Sequence, residues 1–138
     1  MSNGSGFFAI SDDQLKRLLS GELPYGPFLQ AGGSEKPREA NEHAIQCWYE
    51  LSQVLQAEAA CGVEQTDRIP SMVGFAYAKD VQAIAGKLKA LAEPEVRKRC
   101  EGALMEASVD DVVQAVRGLA GFYERAAAHQ DAVLFRVA

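Results

Sequence analysis

Two adjacent carboxylates, Asp12 and Asp13, stand between the apolar run of residues 7–10 and a helical pattern of leucines. Such a pair can supply a general acid and base or bind a divalent cation, provided that further ligands, a base or a nucleophile converge on it. Ser11 and Gln14 flank the pair at the spacing of a capping box. Acidic residues in a first turn also stabilise the positive end of the helix dipole. The pair therefore predicts the beginning of a helix rather than an acid–base centre.

The same arrangement recurs as SVDD at residues 108–111, again directly before an apolar helical pattern. The recurrence favours capping at both places. Convergence of the two Asp pairs on one metal ion is a second interpretation, but a hard-cation site normally adds carbonyl oxygens or further carboxylates within a loop. An EF-hand-like spacing is missing from the sequence. We therefore predict no metal site.

The two histidines, His43 and His129, are the only imidazoles, so a catalytic triad or a zinc site would need one of them. His129 falls near the end of the last helical pattern, where a cation interacts favourably with the dipole. Cys47 lies on an apolar stripe and is expected to be a core thiol. Cys100 follows the basic cluster RKR, which either lowers its pKa or forms a solvated helix face. Without a GxSxG, HExxH or P-loop motif, the sequence predicts no catalytic residue, no cofactor and no enzymatic activity.

Length and composition indicate one globular domain of 138 residues, 48% of them hydrophobic and 24% charged. Lys and Arg total 14 against 19 Asp and Glu, which gives a net charge of −5. This sign disfavours nucleic acid and anionic membranes as partners and favours a protein with a basic surface. The first ten residues do not resemble a signal peptide, and the three cysteines are an odd number without CxxC spacing. Both observations predict a cytoplasmic protein with free thiols.

Three short segments of apolar, β-branched and aromatic residues predict strands at residues 7–10, 72–78 and 132–137. About five helices are predicted between them from the spacing of their apolar residues. One of these helices is expected to run from about Pro37, through Trp48, to an end near Gly62. We therefore expect an α+β fold, a single domain in which a small sheet of about three strands packs with about five helices.

Two segments do not fit regular elements. Residues 1–5 are expected to form a flexible amino terminus, and residues 21–37, rich in proline and glycine, a long loop. Four glycines also fall inside predicted helices, where each costs up to about 1 kcal/mol relative to Ala. We expect them to permit close helix crossings or, alternatively, the close approach of a partner or ligand. These glycines are Gly86, Gly102, Gly118 and Gly121.

Four segments follow one another along the chain: FFAISDDQLKRLL, CWYELSQVL, GFAYAKDVQAIAGKLKAL and GLAGFYERAAAHQDAVLFRV. This order resembles the YfbM-like family of bacterial domains of unknown function, from residue 6 to the carboxyl end. The resemblance implies a small cytoplasmic α+β domain and no established reaction. The family commonly places a Lys two residues before Trp48 and a His one residue after the following Leu, where this chain has Gln46 and Ser52. That departure favours binding over catalysis.

Small size, acidity and the missing catalytic group predict a non-enzymatic binding protein. Most specifically, we predict a bacterial immunity protein that neutralises a cognate toxin with a basic face, such as a secreted nuclease, by covering its active site. The contacts are placed in the long loop and in the polar segment before the second strand, which are the least committed to the core. The predicted partner-binding residues are Glu22, Tyr25, Glu35, Glu39, Glu58, Glu64 and Asp67.

Two alternatives remain. One is a small cytoplasmic enzyme or metabolite-binding domain whose pocket lies near the Trp48 helix and uses His43, Cys47 or Tyr49. A deep pocket with converging polar groups would favour this alternative, and a flat acidic face would count against it. The other is a structural subunit in which the last helix pairs with a second copy of the chain.

Overall fold

The structure, a computed structural model, describes residues 4–30 and 35–138. Five strands lie within these residues: β1 (Gly6–Ile10), β2 (Glu39–Asn41), β3 (Glu64–Thr66), β4 (Met72–Ala76) and β5 (Ala132–Val137). The α-helices of the same residues are α1 (Asp12–Ser20), α2 (Tyr25–Leu29), α3 (Trp48–Val54), α4 (Ala78–Ala90), α5 (Glu93–Glu101) and α6 (Val109–Ala128). A 3₁₀ helix (His43–Cys47) leads directly into α3.

The strands form one sheet in the order β2-β1-β5-β4-β3, and every neighbouring pair is antiparallel. The predicted sheet of about three strands is therefore wrong, because the described residues contain five strands. They also contain six α-helices, where about five were predicted. The two missed strands, β2 and β3, have the sequences EAN and EQT and lie at the two sheet edges. They lack an apolar alternation, so only their pairing with a neighbour defines them as strands.

The sheet separates two hydrophobic clusters. One face packs against α1, α2 and the segment before β4, with Phe8, Leu15, Phe28 and Ile69 at the centre of the contact. The other face packs against the remaining helices through a larger cluster that includes the fully buried Tyr123. We call these the minor and the major helical layer.

Helix capping confirms the prediction made for the two Asp pairs. The Ser11 Oγ accepts from the Gln14 N–H at 3.0 Å, and the Gln14 Oε1 accepts from the Ser11 N–H at 3.0 Å. The Ser108 Oγ accepts from the Asp111 N–H at 3.1 Å and begins α6 in the same manner. Asp12 has a further role that its position in sequence does not indicate, because its Oδ1 accepts from the Ala78 N–H at 2.8 Å. A carboxylate of α1 thus caps α4.

The predicted long helix around Trp48 is wrong at both ends, since α3 ends at Val54 rather than near Gly62 and the predicted first part is not helical. Residues 39–41 form β2 instead, with Ala40 opposite Phe8 of β1. The Asn41 Oδ1 then accepts from the Ala44 N–H at 3.3 Å, which supports the start of the 3₁₀ helix. Pairing with β1 therefore prevails over the helical pattern of this segment.

The long loop predicted at residues 21–37 contains a short helix. α2 occupies its first half, with Phe28 and Leu29 buried against the sheet. Residues 31–34 of that loop and residues 1–3 of the predicted flexible amino terminus lie outside the described residues. Of the remainder of the amino terminus, Ser5 is attached to the end of β5, since its Oγ accepts from the Ala138 N–H at 2.8 Å.

Candidate functional site

A groove of about 250 Å³ lies between the 3₁₀ helix and the first turns of α6. It brings together two residues predicted for a small-molecule pocket, His43 and Cys47, whereas the third, Tyr49, is exposed outside it. The complete lining is His43, Gln46, Cys47, Ala107, Asp111, Gln114 and Ala115. A thiol, an imidazole and a carboxylate therefore share one depression.

α3 builds this groove by holding the loop between α5 and α6. The buried Glu50 Oε2 accepts from the N–H groups of Glu106 at 2.8 Å and Ala107 at 2.9 Å. Gln53 makes a matching pair of hydrogen bonds with the backbone of Leu104. Burial alone would raise the pKa of Glu50, but the backbone hydrogen bonds outweigh it and the pKa is lowered. An ionised carboxylate thus fixes Ala107 beside the 3₁₀ helix.

The groups in the groove are not arranged for covalent catalysis. The Cys47 side chain is 7% exposed, and burial, followed by the negative charges of Glu50 and Asp111, raises its pKa. A nucleophilic thiol needs a lowered pKa. His43 is exposed, and none of the residues that the structure describes forms a hydrogen bond or ion pair with it to orient the ring. The groove can hydrogen-bond a small polar ligand, but its thiol stays protonated.

Two of the predicted partner-binding acids are held by arginines. The Glu35 carboxylate accepts from both terminal nitrogens of Arg17, at 2.7 and 3.2 Å, and these hydrogen bonds lower the pKa of Glu35. Glu39 of β2 makes the same type of pair with Arg125 of α6, at 2.7 Å. Both carboxylates join elements within the chain, so a partner would have to compete for them.

Glu58 differs more strongly from the prediction, which placed it in a segment free of the core. Its side chain is buried, and its Oε1 accepts from Arg99 Nη1 at 2.7 Å. Arg99 also donates to the carbonyl oxygen of Val54 at 2.9 Å, so the pair holds α5 against the end of α3. This carboxylate is not presented to a partner.

Glu22 and Asp67 lie near each other on the minor helical layer. A shallow depression at the end of α1 is lined by Leu19, Ser20, Gly21, Asp67 and Arg68, and Glu22 follows directly. Both acids are exposed. The Glu22 carboxylate lies 4.0 Å from the Arg17 Nε, which is a loose ion pair. These two acids therefore remain accessible.

Tyr25 lies against a buried arginine rather than standing free. The guanidinium carbon of Arg136 lies 5.1 Å from the centre of the Tyr25 ring, within the range of a cation–π contact. Arg136 is buried in β5, and its Nε donates to the carbonyl oxygen of Pro70 at 3.3 Å. Tyr25 is half-buried as a result and contributes to the minor layer.

Glu64 lies on the open edge of the sheet, in β3, and is exposed. Two large exposed apolar residues lie at the two ends of this strand pair: Val63, 47% exposed, precedes Glu64, and Met72, 48% exposed, precedes Val73, the partner of Thr66. Glu64, Gln65 and Asp67 are exposed along the same edge. Sequence reasoning chose the two acids but missed Val63 and Met72, which stand at the two ends of the polar segment before the second predicted strand. We call residues 63–67 together with Met72 the acidic edge.

Metal binding finds no support in the described ranges 4–30 and 35–138, where no cluster of three His, Cys, Asp or Glu side chains could hold an ion. The two Asp pairs lie in different contacts. Asp12 caps α4, and Asp110 forms an ion pair with Arg97 at 2.8 Å. His129 ends α6, the position predicted for it, and its Nδ1 lies 2.8 Å from the Arg125 carbonyl oxygen.

Comparison with protein-family models, with curated proteins and with solved structures found no match to this chain. Among the helices of the described residues, none has the length and apolar character needed to cross a membrane.

Proposed function

We propose that this protein is a non-enzymatic binding protein of the immunity type, which neutralises a basic toxin by binding it and covering its active site. The observation that carries the proposal is the acidic edge, where Glu64 and Asp67 lie beside exposed Val63 and Met72. Exposed apolar side chains beside carboxylates have the composition of a protein interface, and the two carboxylates outnumber the one exposed cation that follows them, Arg68. Membership of the YfbM-like family and a cytoplasmic location are part of the same proposal.

The use of arginine in the chain supports an acidic binding face. Six arginines form ion pairs with carboxylates inside the described part of the molecule. These are Arg17, Arg38, Arg97, Arg99, Arg117 and Arg125. Glu64 and Asp67 have no ion pair among the described residues, so their charges are available to an approaching cation. An acidic inhibitor of this kind can occupy the site where a nuclease would hold phosphates.

Growth rescue tests the proposal. A toxic protein encoded next to this chain in its native genome is expressed in a host cell with and without the chain, and rescue is the expected result. Continued killing, or a neighbourhood in which no product is toxic, would overturn the proposal. The double variant Glu64→Lys/Asp67→Lys should lose rescue, whereas Glu124→Lys should retain it. Glu124 is also an exposed acid, and its neighbour Arg125 pairs with β2 at the opposite sheet edge.

A second function is favoured by the groove between the 3₁₀ helix and α6. Its polar lining of His43, Gln46, Asp111 and Gln114 is suited to a small ligand with several hydrogen-bonding groups. The raised pKa of Cys47 disfavours a nucleophilic thiol, which favours ligand binding at this groove over covalent catalysis. Screening a set of polar metabolites for a rise in melting temperature that Gln114→Ala abolishes tests this candidate. The absence of any such metabolite would eliminate it.

A further inference from the structure

The segment that leads into the edge strand β3, residues 61–62, packs unusually closely against the backbone of β4. A Cβ atom at Gly62 would lie 2.6 Å from the Phe75 nitrogen, and one at Gly74 would overlap the carbonyl oxygen of Cys61. Only glycine allows this approach of two backbones. Gly62 also has a φ of +116°, which L side chains rarely adopt. β3 is therefore fixed in position although it is only three residues long.

The outer side of β3 is open. β3 ends the strand order, and in the part of the chain that the structure describes no further strand pairs with it. Exposed strand edges present backbone N–H and C=O groups that can pair with another chain. Natural proteins often guard such edges with lysine, whereas this edge carries Glu64 and Asp67. Two copies of the chain would repel each other here, and a segment rich in Lys or Arg would be attracted.

A groove runs beside this edge on the major helical layer. It has a volume of about 350 Å³ and separates β3 from the end of α3. Residues that line it include Ser52, Gln56, Ala59, Cys61, Val63 and Gln65. Val63 and Gln65 belong both to the groove and to the acidic edge, so the two surfaces are continuous. Cys61 lies in the groove as a protonated thiol, because burial raises its pKa to about 12.

We propose that β3 accepts an extended, basic segment of a partner protein as an additional strand of the sheet. Backbone hydrogen bonds to the β3 edge would supply affinity. Alternate side chains of an added strand point to opposite faces of the sheet, so one set enters the groove and packs on Val63. Basic side chains meet Glu64 and Asp67. This inference rests on the proposed function and specifies how the partner binds.

The test uses a fluorescent peptide in which lysine and valine alternate, with binding followed by anisotropy and by backbone amide shifts. We expect saturable binding with the largest shifts at residues 63–67. An N-methylated version of the same peptide retains the charge but lacks the backbone donors and should not bind. Equal binding of the two peptides would mean that charge alone attracts them and would overturn the proposal. A dimer of the free chain that Glu64→Lys disrupts would also overturn it.

Variants of the edge complete the test. Glu64→Lys/Asp67→Lys should raise the Kd by about tenfold or more, and Val63→Ser should weaken binding while leaving the melting temperature unchanged. Glu124→Lys is the matched control and should bind as the parent does. If toxin neutralisation occurs but is unaffected by the edge variants, strand addition is wrong and the proposed function stands. If the peptide binds as expected and no toxin is neutralised, the proposed function is wrong and the edge site stands.

Discussion

At the scale of single residues, two buried carboxylates show that hydrogen-bond and ion-pair partners determine whether a buried charge stabilises the fold. Glu50 accepts two backbone N–H groups, and its pKa is lowered despite its burial. Asp131, 2% exposed, has a raised pKa because burial outweighs its 2.8 Å ion pair with Arg38. The Arg38 side chain is 56% exposed, so solvent screens much of its attraction. The first carboxylate is expected to stabilise the fold when ionised, and the second to destabilise it.

Glu50→Gln should lower the free energy of unfolding at pH 7 by about 1–2 kcal/mol, since hydrogen bonds to a charged acceptor contribute more than neutral ones. The folded pKa is lowered, so the stabilisation is present above the pKa of the unfolded chain. It is lost as the pH falls through the folded pKa. Urea unfolding across this range measures the difference from the parent. Glu106→Gln, an exposed acid of the same loop, is the control and should have no effect.

Asp131→Asn should have the opposite effect and raise the free energy of unfolding at pH 7. A raised folded pKa means that the stability associated with protonation is present at low pH and is lost as the pH rises through the folded pKa. At pH 7 the neutral amide is expected to increase the free energy of unfolding by about 1 kcal/mol, because it removes a buried charge. This gain in the free energy of unfolding should shrink as the pH falls toward the ordinary pKa of aspartate. A variant less stable than the parent at pH 7 would show that the Arg38 pair outweighs the cost of burial.

At the scale of elements, two of the four glycines expected in helices contradict the expectation of close helix crossings. A Cβ atom added at Gly86 of α4 or Gly118 of α6 would meet nothing within 4 Å. Close helix crossings therefore do not explain these two glycines, and the structure supplies no packing reason for them. The close approaches occur instead at Gly62 and Gly74, where strand backbones meet.

Alanine substitutions should separate the two groups of glycines. Gly86→Ala and Gly118→Ala should each raise the free energy of unfolding by about 0.5–1 kcal/mol, because alanine loses less backbone entropy in a helix. Gly74→Ala should lower it by about 2 kcal/mol or more, since the new methyl group overlaps backbone. Chemical denaturation of the three variants measures both effects. Destabilisation by the helical substitutions would contradict the expected gain.

At the scale of the whole molecule, the net charge of −5 affects association more than folding. The internal arginine pairs are mostly exposed and contribute little individually. The excess acidic charge instead extends over the surface, where it would steer the proposed basic partner over distances up to a Debye length.

The association rate with a basic partner should therefore fall by about tenfold or more when salt is raised from low to several times physiological concentration. The dissociation rate should change less, because the proposed strand pairing and apolar contacts would be less sensitive to salt. Stopped-flow mixing at a series of salt concentrations measures both rates. A rate of association independent of salt would contradict electrostatic steering.

Local patterns in the sequence determined the helix beginnings at Ser11 and Ser108, the three apolar strands β1, β4 and β5, and the acidic character of the molecule. These features depend on neighbours within a few residues, such as a cap and its first turn. Tertiary structure alone decided the edge strands β2 and β3, because polar triplets become strands only by pairing with a neighbour. It also decided which acids are available. Glu58 is buried by Arg99, 41 residues away in sequence, whereas Glu64 stays exposed at an edge that no pattern in the chain predicts.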